Sequence, residues 1–473
     1  MKSLAAILAV LALTLILTLA WGNKAHALFS EVTISDEAEM GREFHQKITK
    51  MLPLVEDPMV ENYVKSVVDR VVQAMPPQPF RTTTTVIMNN SMNAFAVPGG
   101  YVYVLTGLLL NLETEDQFAA VICHEMAHIS QRHVAKRMED MQLASIGSWM
   151  GIIAGAFLGT SGGDSTREAG QALMTVSQAG AQAAYLVYTK ANEVEADHVG
   201  MNYLINSHFQ PDAMPQTFDI MLNKRWVGNN SHLPSYLSTH PALSERIDYL
   251  RARVAELSPA VQAQHTDNTR FLRVQAVVRG RLSDPTVSMA YFNNIKPQDM
   301  TVLDHMAHGM VLARIKKNTE AAAAFEQALA KADNDPLILR EAGRFFFMQG
   351  DFKRAEQLLQ KALIRDPGDI LTLFYNARLL GEQKHYAQAI PVMRKVLAEV
   401  PEDAEVHYHL GRLSGESGEY FEAHLHLAYA AVYDRDKKQA LFHKGKAYGL
   451  ATSPAQKEEM EKLEEAFKSR LED

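Results

Sequence analysis

The spacing of hydrophobic and polar positions divides the chain into segments of different predicted structure. From residue 31 to residue 75 apolar residues recur at helical spacing, including an amphipathic run over Val60–Met75. The short, β-branched stretch Thr82–Met88 predicts a strand. Asn93–Val104 predicts a hairpin that turns at Pro98-Gly99-Gly100, and helical patterns dominate the rest of the chain.

From about residue 303 the pattern repeats with a period of 34 residues. The recurring positions hold small residues in two phases and aromatic residues in a third: Gly309, Gly343 and Gly411; Ala321, Ala355, Ala389 and Ala423; Phe352, Tyr386 and Tyr420. This period is typical of tetratricopeptide repeats. We expect the small residues to let the two helices of a repeat pack closely and the aromatic residues to fill the space between repeats. Such a solenoid presents a concave surface to peptides or partner proteins.

Two segments depart from the pattern of a folded domain. Lys2, the apolar run Leu4–Trp21 and the small-residue motif Ala25-His26-Ala27 predict a signal peptide over residues 1–27. An uncleaved membrane anchor is the alternative. Residues 141–184 are rich in Gly, Ala, Ser and Met, which indicates a loosely packed helical insertion or, alternatively, a mobile lid or an element that contacts a membrane surface.

Charge and cysteine content narrow the class of function. The net charge is -8 and no long basic run occurs, so we expect no nucleic-acid partner. Cys123 is the single cysteine, which excludes a disulfide framework within the chain and a zinc site built from several thiolates.

A metal-binding motif lies in the helical segment His124-Glu125-Met126-Ala127-His128. Residues four apart in a helix differ by about 40° around the axis, so His124 and His128 can reach one metal ion. Glu125 is placed to hold a metal-bound water without binding the metal itself. The motif predicts one Zn²⁺ per chain, which would polarise a scissile carbonyl and lower the pKa of its water.

The third metal ligand is sought in Asn192-Glu193-Val194-Glu195-Ala196-Asp197. Glu193 and Asp197 are four apart and share a helix face, whereas Glu195 points off that face and is the weaker candidate. We interpret Glu193 as the ligand and Asp197 as the acceptor for the far nitrogen of a ligating histidine. A solvated acidic helix face is the alternative.

The residues after the motif exclude the metzincin variant. That variant needs Gly and His where this chain has Gln131 and Val134. His133 lies nine positions after His124, about 180° round a continuing helix, so we expect it to face away from the metal as a structural or surface histidine. Cys123 is also off the ligand face and is expected in the core.

A further cluster surrounds His240 and Arg246, near the start of an amphipathic helix. In the functional hypothesis both lie near the zinc, and Arg246 is a cation for the developing oxyanion. The alternative is a helix-start motif with a surface arginine. His240 has three possible roles: an oxyanion donor, a helix-start residue, or a latch that occupies the water position of the metal. We favour the latch.

These motifs together resemble the HtpX-type gluzincin metallopeptidases, which include the prenyl-protein CAAX proteases. The resemblance runs over about residues 30–255 through these segments: Asn93–Gly100, His124–His128, Asn192–Asp197 and Thr239–Pro241 with Arg246. It implies that His124, His128 and Glu193 bind zinc, that Glu125 is the general base and that Asp197 is an additional acid of the catalytic site. The chain departs from membrane-spanning relatives because it lacks obvious interior transmembrane segments.

The predicted fold class is mainly α, with an α+β zincin-like metallopeptidase domain containing a small sheet, followed by an α-solenoid of tetratricopeptide repeats. The chain is predicted to consist of a signal peptide over residues 1–27, a zinc metallopeptidase domain over 28–260, a helical linker over 261–302 and a repeat domain over 303–473.

The predicted function is a zinc-dependent endopeptidase exported to the periplasm. Its substrates would be unfolded or misassembled proteins, bound in extended form along an exposed edge near Asn93–Val104. The resemblance, together with the signal peptide and repeats, implies degradation of misfolded outer-membrane proteins and help in their assembly, with contact to the assembly machinery through the repeats. One alternative is a chaperone or adaptor scaffold with a silent zinc site, and a weaker one is a non-proteolytic zinc hydrolase.

Overall fold

The computed structural model describes residues 31–140, 188–227, 236, 240 and 243–472. The predicted signal peptide over 1–27 and both interpretations of residues 141–184 lie outside the described residues. The chain divides into two compact units, Met1–Ser288 and Met289–Asp473. Within the described ranges, no helix combines the length and the apolar content that crossing a membrane requires.

The described part of the first unit begins with two amphipathic helices, α1 (Ile34–Met51) and α2 (Pro58–Gln73), where the sequence pattern predicts helices. The side chain of Thr33 caps α1 by accepting a hydrogen bond from the Asp36 amide. Asp57 caps α2 in the same way and is followed by a proline at the first helical position.

A three-stranded sheet follows, formed by β1 (Thr83–Ile87), β2 (Ala94–Val97) and β3 (Tyr101–Leu105). The strand order is β1-β3-β2, with β1 parallel and β2 antiparallel to β3. The turn between β2 and β3 contains Gly99 and Gly100 at φ of +83° and +85°, a region that glycine adopts without steric cost. The predicted strand and hairpin are therefore confirmed.

Up to residue 255, the described residues form six more helices: α3 (Thr106–Asn111), α4 (Glu115–Ser130), α5 (His133–Asp140), α6 (Lys190–Asn206), α7 (Ala213–Val227) and α8 (Leu243–Ala255). Helix α4 lies at the centre of the unit and packs against α2, α6, α7 and β2. Because neighbours cover it on all sides, α4 is apolar around most of its circumference rather than along one stripe.

Part of the predicted linker packs within the first unit. The segment continues as α9 (Pro259–Gln262), α10 (Thr269–Val277), a π-helix (Val278–Leu282) and α11 (Pro285–Asn293). The Gln275 amide donates to the Leu109 and Leu112 carbonyls, both at 2.8 Å. These bonds satisfy carbonyls at the end of α3 that the helix itself leaves unpaired. The proposed boundaries at 260 and 303 remain predictions.

The second unit consists of helix pairs after a 3₁₀ turn at Pro297–Asp299. These helices are α12 (Val302–Arg314), α13 (Asn318–Lys331), α14 (Pro336–Met348), α15 (Phe352–Arg365), α16 (Ile370–Glu382), α17 (Tyr386–Glu399), α18 (Ala404–Ser417), α19 (Tyr420–Tyr433), α20 (Lys437–Leu450) and α21 (Pro454–Leu471). In the first four pairs, the first helices begin 34 residues apart and so do the second helices. The predicted repeat architecture is therefore confirmed.

The small residues act as expected, whereas the interpretation of the aromatic residues is wrong for Tyr420. A Cβ added to Gly343 would lie 2.9 Å from the Leu359 side chain, so the two helices of this repeat approach closely because glycine is present. Tyr420, however, is 63% exposed, because it is the first residue of its helix and lies at the edge of the layer. Neighbouring repeats are joined instead by rings such as Phe325 and Phe345, which stack with centroids 5.0 Å apart.

Candidate metal centre

Helix α4 presents both motif histidines on one buried face. Thr114 caps its first turn, because the Thr114 hydroxyl accepts a hydrogen bond from the Gln117 backbone amide. Every residue from Glu115 to His128 is buried. The Nε2 atoms of His124 and His128 lie 3.0 Å apart. The four-residue spacing therefore brings the two imidazoles together, as helix geometry requires.

Helix α6 carries Glu193 to the same point. Its carboxylate oxygens lie 3.5 Å from the Nε2 atoms of His124 and His128. Gly200 lets the two helices approach, because an added Cβ there would lie 3.0 Å from the Cys123 carbonyl oxygen. Sequence reasoning missed Gly200, and the only available signal was a glycine within a helical pattern.

His240 joins the cluster from a separate segment. Its Nδ1 lies 3.0 Å from Glu193 Oε1 and 3.3 Å from His124 Nε2, and the side chain is fully buried. The ring of Tyr236 stacks on His240 at 4.1 Å between centroids, and that of Tyr188 stacks on His128 at 3.7 Å. Neither tyrosine was identified from the sequence.

The donor set fits a zinc ion. One ligand atom from each of His124, His128, Glu193 and His240 lies within 4.8 Å of the others. Zn–N bonds of about 2.1 Å in a tetrahedron place neighbouring donors about 3.4 Å apart. The separations between neighbouring nitrogen and carboxylate oxygen atoms of these four side chains are 3.0 to 3.5 Å, which match that spacing.

Behind the donors, Asp197 and Arg246 form a buried ion network. Asp197 Oδ1 lies 3.0 Å from His124 Nδ1, so it can accept that proton while Nε2 faces the metal position. Arg246 is 2% exposed and donates to both oxygens of Asp197 at 2.7 Å and to Glu193. Its guanidinium also lies over the Phe218 ring, with 4.4 Å from Cζ to the centroid.

This network keeps the two acids ionised. Burial alone would raise the pKa of Glu193, but His240 and Arg246 outweigh it and hold that pKa well below its ordinary value. Burial also opposes ionisation of Asp197, where Arg246 and His124 again prevail and lower the pKa. Both carboxylates therefore carry the negative charge that a dication needs.

Glu125 has a different environment. It is fully buried, neither oxygen makes a well-formed hydrogen bond among the described residues, and Oε1 lies 3.4 Å from His240 Nε2. Burial raises its pKa to about 8, although His124 and the Ala96 backbone act in the opposite direction. A carboxylate with a pKa near the working pH suits general acid–base chemistry.

The expectation that His133 faces away from the metal position is wrong. Helix α4 ends at Ser130 and Arg132 adopts φ of 55°, so the chain reverses before α5 begins at His133. His133 Nδ1 consequently lies 2.8 Å from His128 Nδ1, and its Nε2 lies 3.0 Å from Glu195 Oε2. The 180° estimate assumed one uninterrupted helix, which no Gly or Pro contradicted.

Comparisons with known proteins agree with this arrangement. Residues 58–254 match peptidase family M48, and residues 306–370 and 376–440 match a tetratricopeptide repeat family. The chain therefore contains a peptidase family M48 domain followed by tetratricopeptide repeats.

Among curated proteins, it is similar to the beta-barrel assembly-enhancing protease of Escherichia coli, with 28% identity over 323 residues, which cover 67% of this chain and 63% of that protein. A putative protease of the same name from Vibrio cholerae is 29% identical over 60% of this chain and 57% of that protein. The mitochondrial metalloendopeptidase OMA1 of Schizosaccharomyces pombe is 26% identical over 50% of this chain and 65% of that protein. The match thus spans less than two thirds of the length of each of these relatives.

Proposed function

We propose that the chain is a zinc-dependent endopeptidase, with zinc held by His124, His128 and Glu193. The observation that carries this proposal is the convergence of these three side chains beside the buried carboxylate of Glu125. Family M48 membership of the domain and the metalloendopeptidase relatives support the same activity.

The metal would supply polarisation of the scissile carbonyl and acidification of a water molecule. Glu125 takes a proton from the attacking water and returns it to the leaving amine. Asp197 holds His124 in the tautomer that leaves Nε2 free, through the 3.0 Å contact with Nδ1. The buried walls exclude bulk water, which strengthens each of these electrostatic interactions.

For Arg246 we propose a supporting role, as a brace for Glu193 and Asp197. Its hydrogen bonds already engage both carboxylates, so little of the guanidinium remains to face a developing oxyanion. The oxyanion hypothesis therefore has less support than it had from the sequence.

For His240 we propose the role of a latch. Its Nδ1 lies 3.3 Å from His124 Nε2 and 3.0 Å from Glu193 Oε1, so His240 would take the fourth position that a catalytic zinc leaves open for water. Withdrawal of His240 would free that position for water and substrate. Replacing His240 with Ala should then raise basal casein cleavage at unchanged zinc content, whereas a decrease of about 10²-fold would support the oxyanion role instead.

The proposed substrates are unfolded or misassembled proteins bound as an added strand. Strand β2 lies at one edge of the described sheet and packs on α4, and the Ala96 backbone is close enough to Glu125 to influence its pKa. The expectation that this edge is exposed is wrong, because residues Ala94–Val97 are buried, so the edge would have to be uncovered before a peptide pairs with it. A peptide paired with that edge would extend past the catalytic carboxylate. Only flexible segments can adopt this conformation, which would limit cleavage to unfolded regions.

We further propose that the protein acts in the periplasm, in quality control of outer-membrane proteins. The apolar run Leu4–Trp21 with the motif Ala25-His26-Ala27 supports export, and the names of the bacterial relatives support a role in β-barrel assembly. The repeats would contact substrates or the assembly machinery, since repeat surfaces of this kind bind proteins.

The decisive experiment compares the wild-type chain with a Glu125→Gln variant. We expect the wild type to hold about one zinc per chain and to cleave casein unless a chelator is present. The variant should keep its zinc and lose activity by about 10²- to 10⁴-fold. Equal casein cleavage by both would reject the proposal. Retention of biological function by an inactive variant would favour the scaffold alternative.

A further inference from the structure

His124 and His128, the two histidines of the metal-binding motif, each have a hydrogen-bonding partner on the side away from the metal position, but the two partners differ. The Nδ1 atom of His124 faces the Asp197 carboxylate at 3.0 Å. The Nδ1 atom of His128 faces another imidazole, that of His133, at 2.8 Å. The far nitrogen of His133 then contacts Glu195 at 3.0 Å, which makes a continuous chain from His128 to a carboxylate.

Only one arrangement of protons along this chain leaves His128 able to bind a metal. Nε2 of His128 must keep its lone pair, so Nδ1 carries the proton and donates it to His133 Nδ1. His133 then carries its own proton on Nε2 and donates it to Glu195. Each nitrogen is thereby either a donor or an acceptor, and the carboxylate at the end accepts.

We propose that His133 and Glu195 are positioning residues for the metal centre, which fix the tautomer and ring orientation of His128. This inference rests on the proposed zinc site. It gives a role to two residues that the zinc-site proposal leaves unused. His133 holds His128 directly, and Glu195 acts through His133.

Burial and packing support a designed contact rather than an incidental one. The His133 side chain is fully buried, so both of its nitrogens need partners, and it has them. Tyr188 covers the His128 ring and lies 6.4 Å from His133 between ring centroids. The Glu195 side chain is 46% exposed, so the chain of hydrogen bonds leads from the buried metal position to the protein surface.

Amide and phenyl replacements at residue 133 separate the hydrogen bond from simple packing. His133→Phe keeps a flat ring but offers no acceptor to His128. His133→Asn is smaller, yet its Oδ1 can stand near the position of the imidazole Nδ1 and accept the same proton. A residue that merely fills space would tolerate Phe better than Asn, whereas a positioning residue should show the reverse order.

The test uses the full-length chain and measures zinc affinity by competition with a chelator, together with the visible spectrum of the cobalt-substituted protein. We expect His133→Phe to weaken zinc binding by about 10- to 100-fold and to change the cobalt spectrum. His133→Asn should recover most of both. Glu195→Ala should weaken binding less than His133→Phe, since the imidazole contact to His128 remains.

The matched control is His198→Asn, which alters an exposed histidine of the same helix as Glu195 that contacts Arg253 and the Tyr249 ring rather than a proposed zinc ligand. It should bind zinc as the wild type does. If His133→Phe does not fold, the exposed Glu195→Ala variant carries the test, and wild-type affinity in that variant would overturn the inference. Equal affinity of the Phe variant and the wild type would overturn it as well. A wild-type chain that binds no zinc would reject the zinc site and this inference together.

Discussion

Buried arginine side chains pair with carboxylates in different ways in the two units of the molecule. In the first unit Arg246 of α8 meets Glu193 and Asp197 of α6, beside a candidate metal position to which Glu193 contributes. In the repeat unit Arg340 pairs with Glu341 beside it and with Asp369 in the loop before the next repeat, at 2.9 and 2.8 Å. The first network converges on a chemical task, whereas the second joins one repeat to the next.

This difference shows how far function depends on contacts between distant parts of the sequence. Glu193 and Arg246 are 53 residues apart, and His124 and Arg246 are 122 apart. The repeat network spans 29 residues at most, within one period. A local pattern can therefore specify a scaffold, while a site of this kind is assembled only by the complete fold.

The largest effect should come from removing the arginine of each network. Arg246→Gln leaves two carboxylates without their cation, which costs about 3–5 kcal/mol for a buried pair, and it should also weaken zinc binding. Arg340→Gln should reduce the stability of the repeats by a similar amount and leave zinc binding unchanged. The two tryptophans outside the predicted signal peptide, Trp149 and Trp226, precede residue 289, so tryptophan fluorescence reports on the first unit and far-UV circular dichroism reports on both units. Unaltered zinc affinity in Arg246→Gln would contradict the comparison.

A second contrast concerns helical glycines. Gly200→Ala places a Cβ 3.0 Å from the Cys123 carbonyl and 3.2 Å from His124 Cα, where backbone cannot move aside easily. We expect a loss of about 1–3 kcal/mol and weaker zinc binding. Gly445→Ala meets nothing within 4 Å and should be neutral or stabilising by up to about 1 kcal/mol. Thermal unfolding of both variants measures the difference, and equal stability of the two would show that the close helix contact is unimportant.

The smallest effect on folding stability is expected from lowering the pH. Burial lowers the pKa of His426 to about 3, with His407 and Arg394 acting in the same direction. The folded repeats thus favour neutral His426, and stability is lost as the pH falls below the unfolded value of about 6.5. At pH 5 the loss is about 2 kcal/mol. His426→Gln should reduce this dependence when unfolding of the repeats is followed by circular dichroism, but it should not abolish it, because burial also lowers the pKa of other repeat histidines such as His407 and His409. The acid response of the first unit should instead depend on added zinc. Identical pH profiles for the wild type and the variant would contradict the assignment.

The sequence predicted the elements that depend on local spacing. The strand, the glycine turn and the 34-residue repeats are all present where expected. It failed for His133, because the end of α4 has no Gly or Pro and the left-handed residue is Arg132. It also failed for Tyr188 and Tyr236, whose stacking on site histidines depends on how distant segments meet.

The roles of His240 and Arg246 show the same limit. The sequence offered their nearness to the site as one of two hypotheses, and it did not predict their partners. The structure places His240 Nδ1 among the ligand atoms and commits Arg246 to two carboxylates. Only the three-dimensional arrangement distinguishes a residue that faces substrate from one that holds its neighbours.

The burial of Cys123 has a consequence for oxidative damage. The thiol is fully buried next to His124, and burial raises its pKa far above the ordinary value, so it stays protonated. Peroxide and disulfide reagents attack thiolates at accessible positions, and this sulfur offers neither feature. The folded chain can therefore meet an oxidising environment without cross-linking to another protein through Cys123 and without sulfenic acid forming beside the proposed metal ligands.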